Sequence, residues 1–242
     1  TETDPITYEA DWFKLREAKL HLRPYTQPYF PIAVAAAATP SGLVTAGKHG
    51  TSVLSLSVLA SDAVKNTLKE FWKIAEDTAA EHGKSMNRED WRLVTHVFLA
   101  ESKKEAIEQA RIKAGQYQRG YFEEALGNPS LFDGPADRII DAMVDKGAWC
   151  VGTPDDLIQY IHRLDENSGG FGGLLIQATE WGTREQVFRS YELLARYVMP
   201  HFQGTMTSLS ESYQWMVDTK DELQALRKRS LEKAHRDYTE KR

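Results

Sequence analysis

Short apolar runs alternate along this chain with segments whose apolar residues recur every three or four positions. The first run, Pro31 to Ala38 (PIAVAAAA), is brief and bounded by turn signals, so it reads as a buried strand. Thr39 then offers an N-cap oxygen, and Pro40 takes the first helical position, where its missing N–H costs nothing; a short helix is expected up to Gly50. Ser52 to Val58 (SVLSLSV) reads as a second strand. Ser61 reads as the cap of a long helix with Val64, Leu68, Phe71 and Ala75 inward and Gly83 as its stop. Arg92 to Ala100 (RLVTHVFLA) is a third strand. Ser102 and Glu105 then form a capping box for a helix that buries Ile107, Ala110, Ala114 and Tyr117. An irregular stretch with Gly120, Gly127, Pro129, Gly134 and Pro135 follows. Ala136 to Lys146 resumes as helix through Ile139, Ile140 and Met143. Thr153, Pro154, Asp155 and Asp156 open another helix, with an N-cap, a proline and two acids at the positive dipole end. It turns Leu157, Ile158, Ile161 and Leu164 inward. Gly172 to Thr179 (GGLLIQAT) is a fourth strand, and Arg184 to Met199 closes the series with Val187, Phe188, Tyr191, Leu194 and Val198 inward.

Strand and helix alternate four times, which implies parallel strands joined by right-handed crossovers and adjacent in chain order. Two architectures fit: an open doubly wound sheet, or part of a (β/α)8 barrel. A barrel needs eight strands and about 250 residues, whereas these units run only from Pro31 to about Pro200. If the fold is a barrel, half of it lies upstream of Thr1. Residues 1–30 read as an opening loop or linker, 31–202 as the α/β unit and 203–242 as a helical extension. In that extension Ser208 and Glu211 form a capping box, and the last part (LRKRSLEKAHRDYTEKR) is highly charged. It reads as a solvated or edge-packed helix, or as an arm gripping a second subunit. The chain opens on Thr1 and not on Met, so it reads as a piece of a longer protein.

Composition narrows the function. The formal charge of −5 over 242 residues argues against a strongly basic nucleic-acid protein. With 41% hydrophobic and 27% charged residues the balance is that of an ordinary globular chain. A lone cysteine, Cys150, allows no intramolecular disulfide and disfavours a cysteine metal site, so no metal is expected and a reduced, cytoplasmic setting is. The longest apolar run is too short for a bilayer, which takes roughly 20 residues, and no signal peptide is evident.

The strongest local chemistry lies in Ala35-Ala36-Ala37-Ala38-Thr39-Pro40-Ser41-Gly42. Small residues end a strand and lead into a helix start, where free N–H groups and the Thr39 and Ser41 hydroxyls make an anion site without any lysine. A cofactor phosphate is one occupant; a tight turn that needs small residues only for packing is the other reading. The stretch is neither GxGxxG nor a Walker A sequence. Ser168-Gly169-Gly170-Phe171-Gly172-Gly173 precedes a strand and so reads as a turn. Trp181 follows the fourth strand, where parallel folds bind ligands; it either walls a flat ring system or caps the core. His96, mid-strand with Val94 and Phe98, reads as a hydrogen-bonded core residue before a base or ligand. His49 ends a helix, and Cys150 reads as a small buried apolar residue. No HExxH, GxSxG or CxxC occurs, and no catalytic residue is assigned.

Taken together, LHLRPYTQPYFPIAVAAAATPSGLVTAGKHG (Leu20–Gly50), VGTPDDLIQYIHRL (Val151–Leu164), GGFGGLLIQATEW (Gly169–Trp181) and RSYELLARYVMPHFQG (Arg189–Gly204) resemble the carboxyl-terminal half of a bacterial-luciferase-like flavin-dependent monooxygenase, in its limonene-monooxygenase-like subgroup. The resemblance implies a (β/α)8 TIM barrel of the luciferase-like type, with only about its last four βα units in this chain plus a helical tail. It implies reduced FMN, or a deazaflavin in some branches, at the carboxyl ends of the strands, and O2 directed at a small apolar substrate; a non-catalytic flavin-binding protein, or an assembly fragment of the same fold, is the alternative reading. It further implies a separate flavin reductase, a homodimer, and an upstream half of the barrel, without which the chain is inactive. Neither nucleic acid nor membrane is implied as a partner. The loop Ala36, Ala37, Ala38, Thr39, Ser41 matches the flavin-phosphate loop, although many relatives have Gly or Ser at the three alanines. Trp181 matches a tryptophan near the flavin ring, where the chemistry requires water to be kept out.

Overall fold

The computed structural model describes residues 4–27, 29–36, 39–57, 67–130, 132–205 and 207–240. Its centre is a parallel sheet of β3 (Ala33–Ala36), β4 (Ser52–Leu56), β5 (Trp91–Leu99), β6 (Trp149–Gly152) and β7 (Gly173–Gln177). β3 pairs with β4, β4 with β5, and β5 with β7, each parallel, so the four strands legible in the sequence lie adjacent in that order. β6 is a fifth strand that the pattern does not predict. β5 is long enough to serve three neighbours. Its Arg92–Val94 segment pairs with β4 on one edge and β7 on the other, and His96 pairs with Trp149 of β6 and Gln177 of β7. β6 therefore continues along the β4 edge of β5. Among the described residues β3 and β7 do not pair, so the sheet is open.

β5 is buried on both faces, as a central parallel strand must be. Leu93, Val97 and Leu99 face a core with α1 (Ser41–His49), α2 (Leu68–Glu81) and α5 (Pro154–Ser168). Phe98 faces a second core with Trp149, Val151, Trp181, α3 (Lys103–Tyr117) and α4 (Ile139–Asp145). In the first core Trp72 and Trp91 stack at 4.7 Å, both fully buried, and the Arg88 guanidinium lies 5.3 Å and 5.9 Å from the two rings. Arg88 also donates to Ser168 O at 2.7 Å and Gly170 O at 3.2 Å, pinning the glycine-rich segment as the turn its position predicts. A Cβ at Gly172 would lie 1.8 Å from Glu89 O. Gly172→Ala must therefore push apart β5 and β7, and overpacking of this kind costs about 1–3 kcal/mol. A fall in the thermal midpoint of roughly 5–10 °C is expected, using 2–4 °C per kcal/mol for this size. An unshifted melting curve would contradict the register.

Several boundaries differ from the pattern. α1 starts at Ser41 with Pro40 as the cap residue, so Thr39 does not cap it. Gly50 closes it in the left-handed region (φ 63°), as expected. α2 starts at Leu68 under a reciprocal Thr67–Glu70 capping box; Ser61 and Val64 lie outside the described residues. Ser102 caps α3 by accepting from Glu105 N. Thr153 and Asp156 cap α5 reciprocally behind Pro154. α6 (Arg184–Leu193) buries Ser190 and Leu193, while Phe188 and Tyr191 face solvent. The inward stripe is rotated because Ser190 Oγ accepts from Leu99 N at 2.8 Å, which fixes the helix face that meets β5. A π-helical turn, Leu194–Val198, links α6 to α7 (Met199–Gln203). The opening segment carries an antiparallel hairpin of β1 (Ile6–Glu9) and β2 (Lys14–Ala18) where a loop is expected. α8 (Thr207–Asp218) and α9 (Lys220–Glu240) contain no buried residue. Ser208 sits inside α8 and not at its cap, because the helix already begins at Thr207. No described helix is long and apolar enough to cross a membrane.

Candidate functional site

All five parallel strands point their carboxyl ends one way, and both candidate regions lie at that end. The first is the junction of β3 and α1. β3 ends at buried Ala36; Ala37 and Ala38 lie outside the described residues. Thr39 Oγ1 and Ser41 Oγ are 2.8 Å apart, both exposed. The first backbone bond of α1 is Val44 N to Pro40 O at 2.9 Å, and the N–H groups of Ser41, Gly42 and Leu43 have no partner among the described residues. A Cβ at Gly42 would lie 2.6 Å from Ala35 O, so only glycine lets the helix start sit this close to the strand end. The result is a cluster of three N–H donors and two hydroxyls at the positive end of a nine-residue helix. A phosphate monoester, with acceptor oxygens only, fits that donor set.

The second region is an aromatic cluster around the carboxyl half of β5. Trp181, four residues past β7, is 1% exposed. Its ring lies parallel to His96 (5.3 Å, 7°) and tilted against Trp149 (4.5 Å, 44°). Tyr117 and Phe122 approach His96 edge-on at 5.8 Å and 6.3 Å. Phe122 and Tyr121 belong to a π-helical turn, Gln118–Ala125, that continues α3. Gln177 Nε2 donates to Tyr117 Oη at 2.7 Å. Among the described residues neither His96 Nε2 nor Trp181 Nε1 has a hydrogen-bond partner, although both are buried. Burial disfavours the imidazolium and pushes the His96 pKa down to about 4 from 6.5. The ring is thus neutral at pH 7.

That depression has a consequence for stability. Unfolded His96 binds a proton below about pH 6.5 while the folded ring resists it until about pH 4. The contribution is complete above the unfolded value and is lost as pH falls through this window, by about 3 kcal/mol in total. Urea midpoints should therefore decline between pH 6.5 and 4, and His96→Phe should flatten that decline. An equally steep decline in the variant would mean that His96 does not titrate as its burial dictates.

Between the end of β4 and the start of β6 lies a cavity of about 390 Å³, lined by Ser57, Lys146, Tyr160, Arg163 and Asn167 among others. Tyr160 Oη bridges Ser57 Oγ and Thr95 Oγ1, each at 3.0 Å. This hydroxyl chain was not legible in the sequence, because its members are 103 and 65 residues apart.

Of the residues singled out in the sequence, Thr39 and Ser41 are brought together, and Ala36 ends the strand behind them. Trp181 is not joined to them by any ring contact or hydrogen bond among the described residues. β3 and β7 are three strand spacings apart, roughly 14 Å at about 4.8 Å each. His96 is buried as expected but unbonded, which corrects its reading as a hydrogen-bonded core residue: its neighbours are ring faces and edges. Cys150 is buried, and burial pushes its thiol up to about 12, which suits an inert core residue. His49 lies in the last turn of α1 as expected.

Comparison with known proteins places this arrangement. Residues 1–170 match the luciferase-like monooxygenase family model. The chain is 34% identical over 220 residues to 4-hydroxyprotoasukamycin monooxygenase of Streptomyces nodosus subsp. asukaensis, covering 90% of this chain and 59% of that protein. It is 38% identical over 206 residues to limonene 1,2-monooxygenase of Rhodococcus erythropolis, covering 84% and 51%. Among solved structures, a monooxygenase from Streptomyces bottropensis superposes with a TM-score of 0.65 at 21% identity, covering 82% of this chain and 56% of that one. The oxygenating constituent of 3,6-diketocamphane monooxygenase from Pseudomonas putida, a type II Baeyer–Villiger monooxygenase in complex with FMN, superposes with a TM-score of 0.62 at 23% identity, covering 82% and 59%. These structures establish the fold. The chain spans between half and three-fifths of the length of the curated relatives it matches, and it belongs to the luciferase-like monooxygenase family.

Proposed function

We propose that the chain is the flavin-phosphate-holding part of a luciferase-like monooxygenase that uses reduced FMN and O2 to oxygenate an apolar organic substrate. The observation that carries this reading is the amino end of α1, where free N–H groups and two hydroxyls converge at the carboxyl end of β3. When bound, reduced FMN supplies the electrons that activate O2. The chain's residues bind and exclude. The Ser41, Gly42 and Leu43 N–H groups would donate to the phosphate oxygens, and Thr39 and Ser41 would add hydroxyl donors. Ala36 ends β3 with a small side chain, and the reading assigns the next two alanines of the sequence, Ala37 and Ala38, to the same phosphate loop. The apolar mass of Trp181, Trp149 and Phe122 keeps water from the same end of the sheet.

The reading includes several partners: a separate flavin reductase supplying reduced FMN, an upstream polypeptide completing a (β/α)8 barrel, and a second copy forming a homodimer, all in the cytoplasm. A deazaflavin suits the same donors, since it too carries a phosphate. The exposed Ile32 and Leu175, on and beside the outer strands, are apolar surface that such an upstream half would cover.

The test is FMN titration read by quenching of flavin fluorescence, on this chain alone and co-expressed with the segment that its relatives carry beyond the match. Saturable one-to-one quenching in at least the second preparation is expected. No binding in either would remove the reading.

A further inference from the structure

We propose that the cavity between the end of β4 and the start of β6 binds a small hydroxylated carboxylate, with its hydroxyl on Ser57 and its carboxylate on Arg163. The inference goes beyond the flavin reading and does not rest on it.

The cavity follows from the sheet. β4 pairs with β5 as far as Leu56 opposite Val94, and β6 takes up the same edge of β5 only from Trp149 opposite His96. Neither strand covers Thr95 from that edge. The opening is walled by α5 and by the turn that carries Asp145 and Lys146, and it encloses about 390 Å³. That lies in the range of small-molecule pockets, about 300–1,000 Å³.

Ser57 and Tyr160 line the cavity, both buried, and belong to a hydroxyl chain whose direction is fixed. Each hydroxyl has one proton to give. Thr95 Oγ1 gives its own to Ala148 O at 3.2 Å, because a carbonyl only accepts. Tyr160 Oη must then donate to Thr95 Oγ1, and Ser57 Oγ to Tyr160 Oη, each at 3.0 Å. Burial holds the Tyr160 phenol above its usual pKa, so its proton stays in the chain. All three protons are spent inside the protein. Ser57 Oγ is left with lone pairs, so it accepts from a ligand and does not donate.

The charges select the rest of the ligand. Arg163 lines the cavity with its guanidinium 5.8 Å from the Tyr160 ring centre and makes no ion pair among the described residues. Lys146 adds a second cation and Asp145 one carboxylate, so the described lining carries one net positive charge. That charge repels an ammonium, which leaves a hydroxyl as the donor for Ser57. A carboxylate matches the guanidinium fork and balances the lining. A phosphate monoester, at about −1.5 to −2 near pH 7, exceeds it. The Asn167 side-chain amide on the same wall supplies a further N–H donor.

The experiment is an NMR titration of the full chain at constant ionic strength, following the Asn167 side-chain amide and the Arg163 Nε–H. Four probes are added separately: 4-hydroxybutyrate, butyrate without the hydroxyl, 1,4-butanediol without the charge, and glycerol 3-phosphate. 4-Hydroxybutyrate should shift both signals saturably. Butyrate should bind about tenfold more weakly, the loss of one hydrogen bond, and the diol should leave both signals in place. Ser57→Ala should bring 4-hydroxybutyrate down to the affinity of butyrate; Tyr160 keeps its bond to Thr95, so this variant should fold. Arg163→Met keeps an apolar stem beside Tyr160 and should abolish saturation with both carboxylates, read at Asn167. The absence of a saturable shift, equal affinity for 4-hydroxybutyrate and butyrate in the parent chain, or tighter binding of glycerol 3-phosphate overturns the proposal. So does an unchanged hydroxyl preference in Ser57→Ala. FMN takes no part in these titrations, so their failure leaves the flavin reading where its own test puts it.

Discussion

Trp181→Ala should lower the stability of the chain by about 3–5 kcal/mol, the range for truncating a fully buried aromatic. The indole is 1% exposed and touches His96, Trp149 and Tyr117, so its removal opens a cavity between β5, β6 and α3 instead of trimming a rim. With 2–4 °C per kcal/mol at this chain length, the thermal midpoint should fall by roughly 10 °C. Trp181→Phe should recover most of that loss, because it restores apolar volume and sheds an unpaired N–H. On the proposed flavin reading, with the proposed upstream half present and reductase supplied, Trp181→Ala should also release more hydrogen peroxide per reduced flavin consumed, since water gains entry. Denaturant curves give the first quantity and a peroxide assay the second. A stability loss under 1 kcal/mol would return Trp181 to the role of a rim residue.

The distinction between what the pattern predicts and what it misses is physical. β3, β4, β5 and β7 are apolar runs with turn residues at their ends; β4 and β5 are buried along at least one face, β7 packs Leu174 and Ile176 half-buried against the first core, and β3 buries Ala36 at its end, so the apolar runs mark where the strands meet the core. β6 escapes because Trp149–Gly152 is four residues long, pressed between Gly147 and the Thr153 cap. A run that short has no period to read. The β1–β2 hairpin escapes for the opposite reason: Ile6, Tyr8 and Leu15 stay exposed, so no buried face marks it. Phe188 and Tyr191 lie on a helical stripe that local spacing assigns inward, but the Ser190–Leu99 bond selects a different face. At the candidate site, the small-residue strand end and Thr39-Pro40-Ser41 were legible because the chemistry is local. The orphaned nitrogen of His96 was not, since the absence of a partner depends on residues from α3, β6 and the segment after β7.

The central claim is that the amino end of α1 holds a flavin phosphate, and FMN affinity in Ser41→Asp measured beside Ser41→Ala tests it most directly. Aspartate suits the first turn of a helix, so this variant should keep or slightly raise the thermal midpoint. Folding and binding are thereby separated. A carboxylate facing the phosphate at about 4 Å is repelled by about 4 kcal/mol at an effective dielectric of 20, and by less once solvent screens it. A loss of tenfold to a hundredfold in FMN affinity is expected for Asp. Alanine removes one hydroxyl, at about 1 kcal/mol, and should weaken binding only a few-fold. FMN affinity unchanged in Ser41→Asp, with the protein folded, would contradict the account.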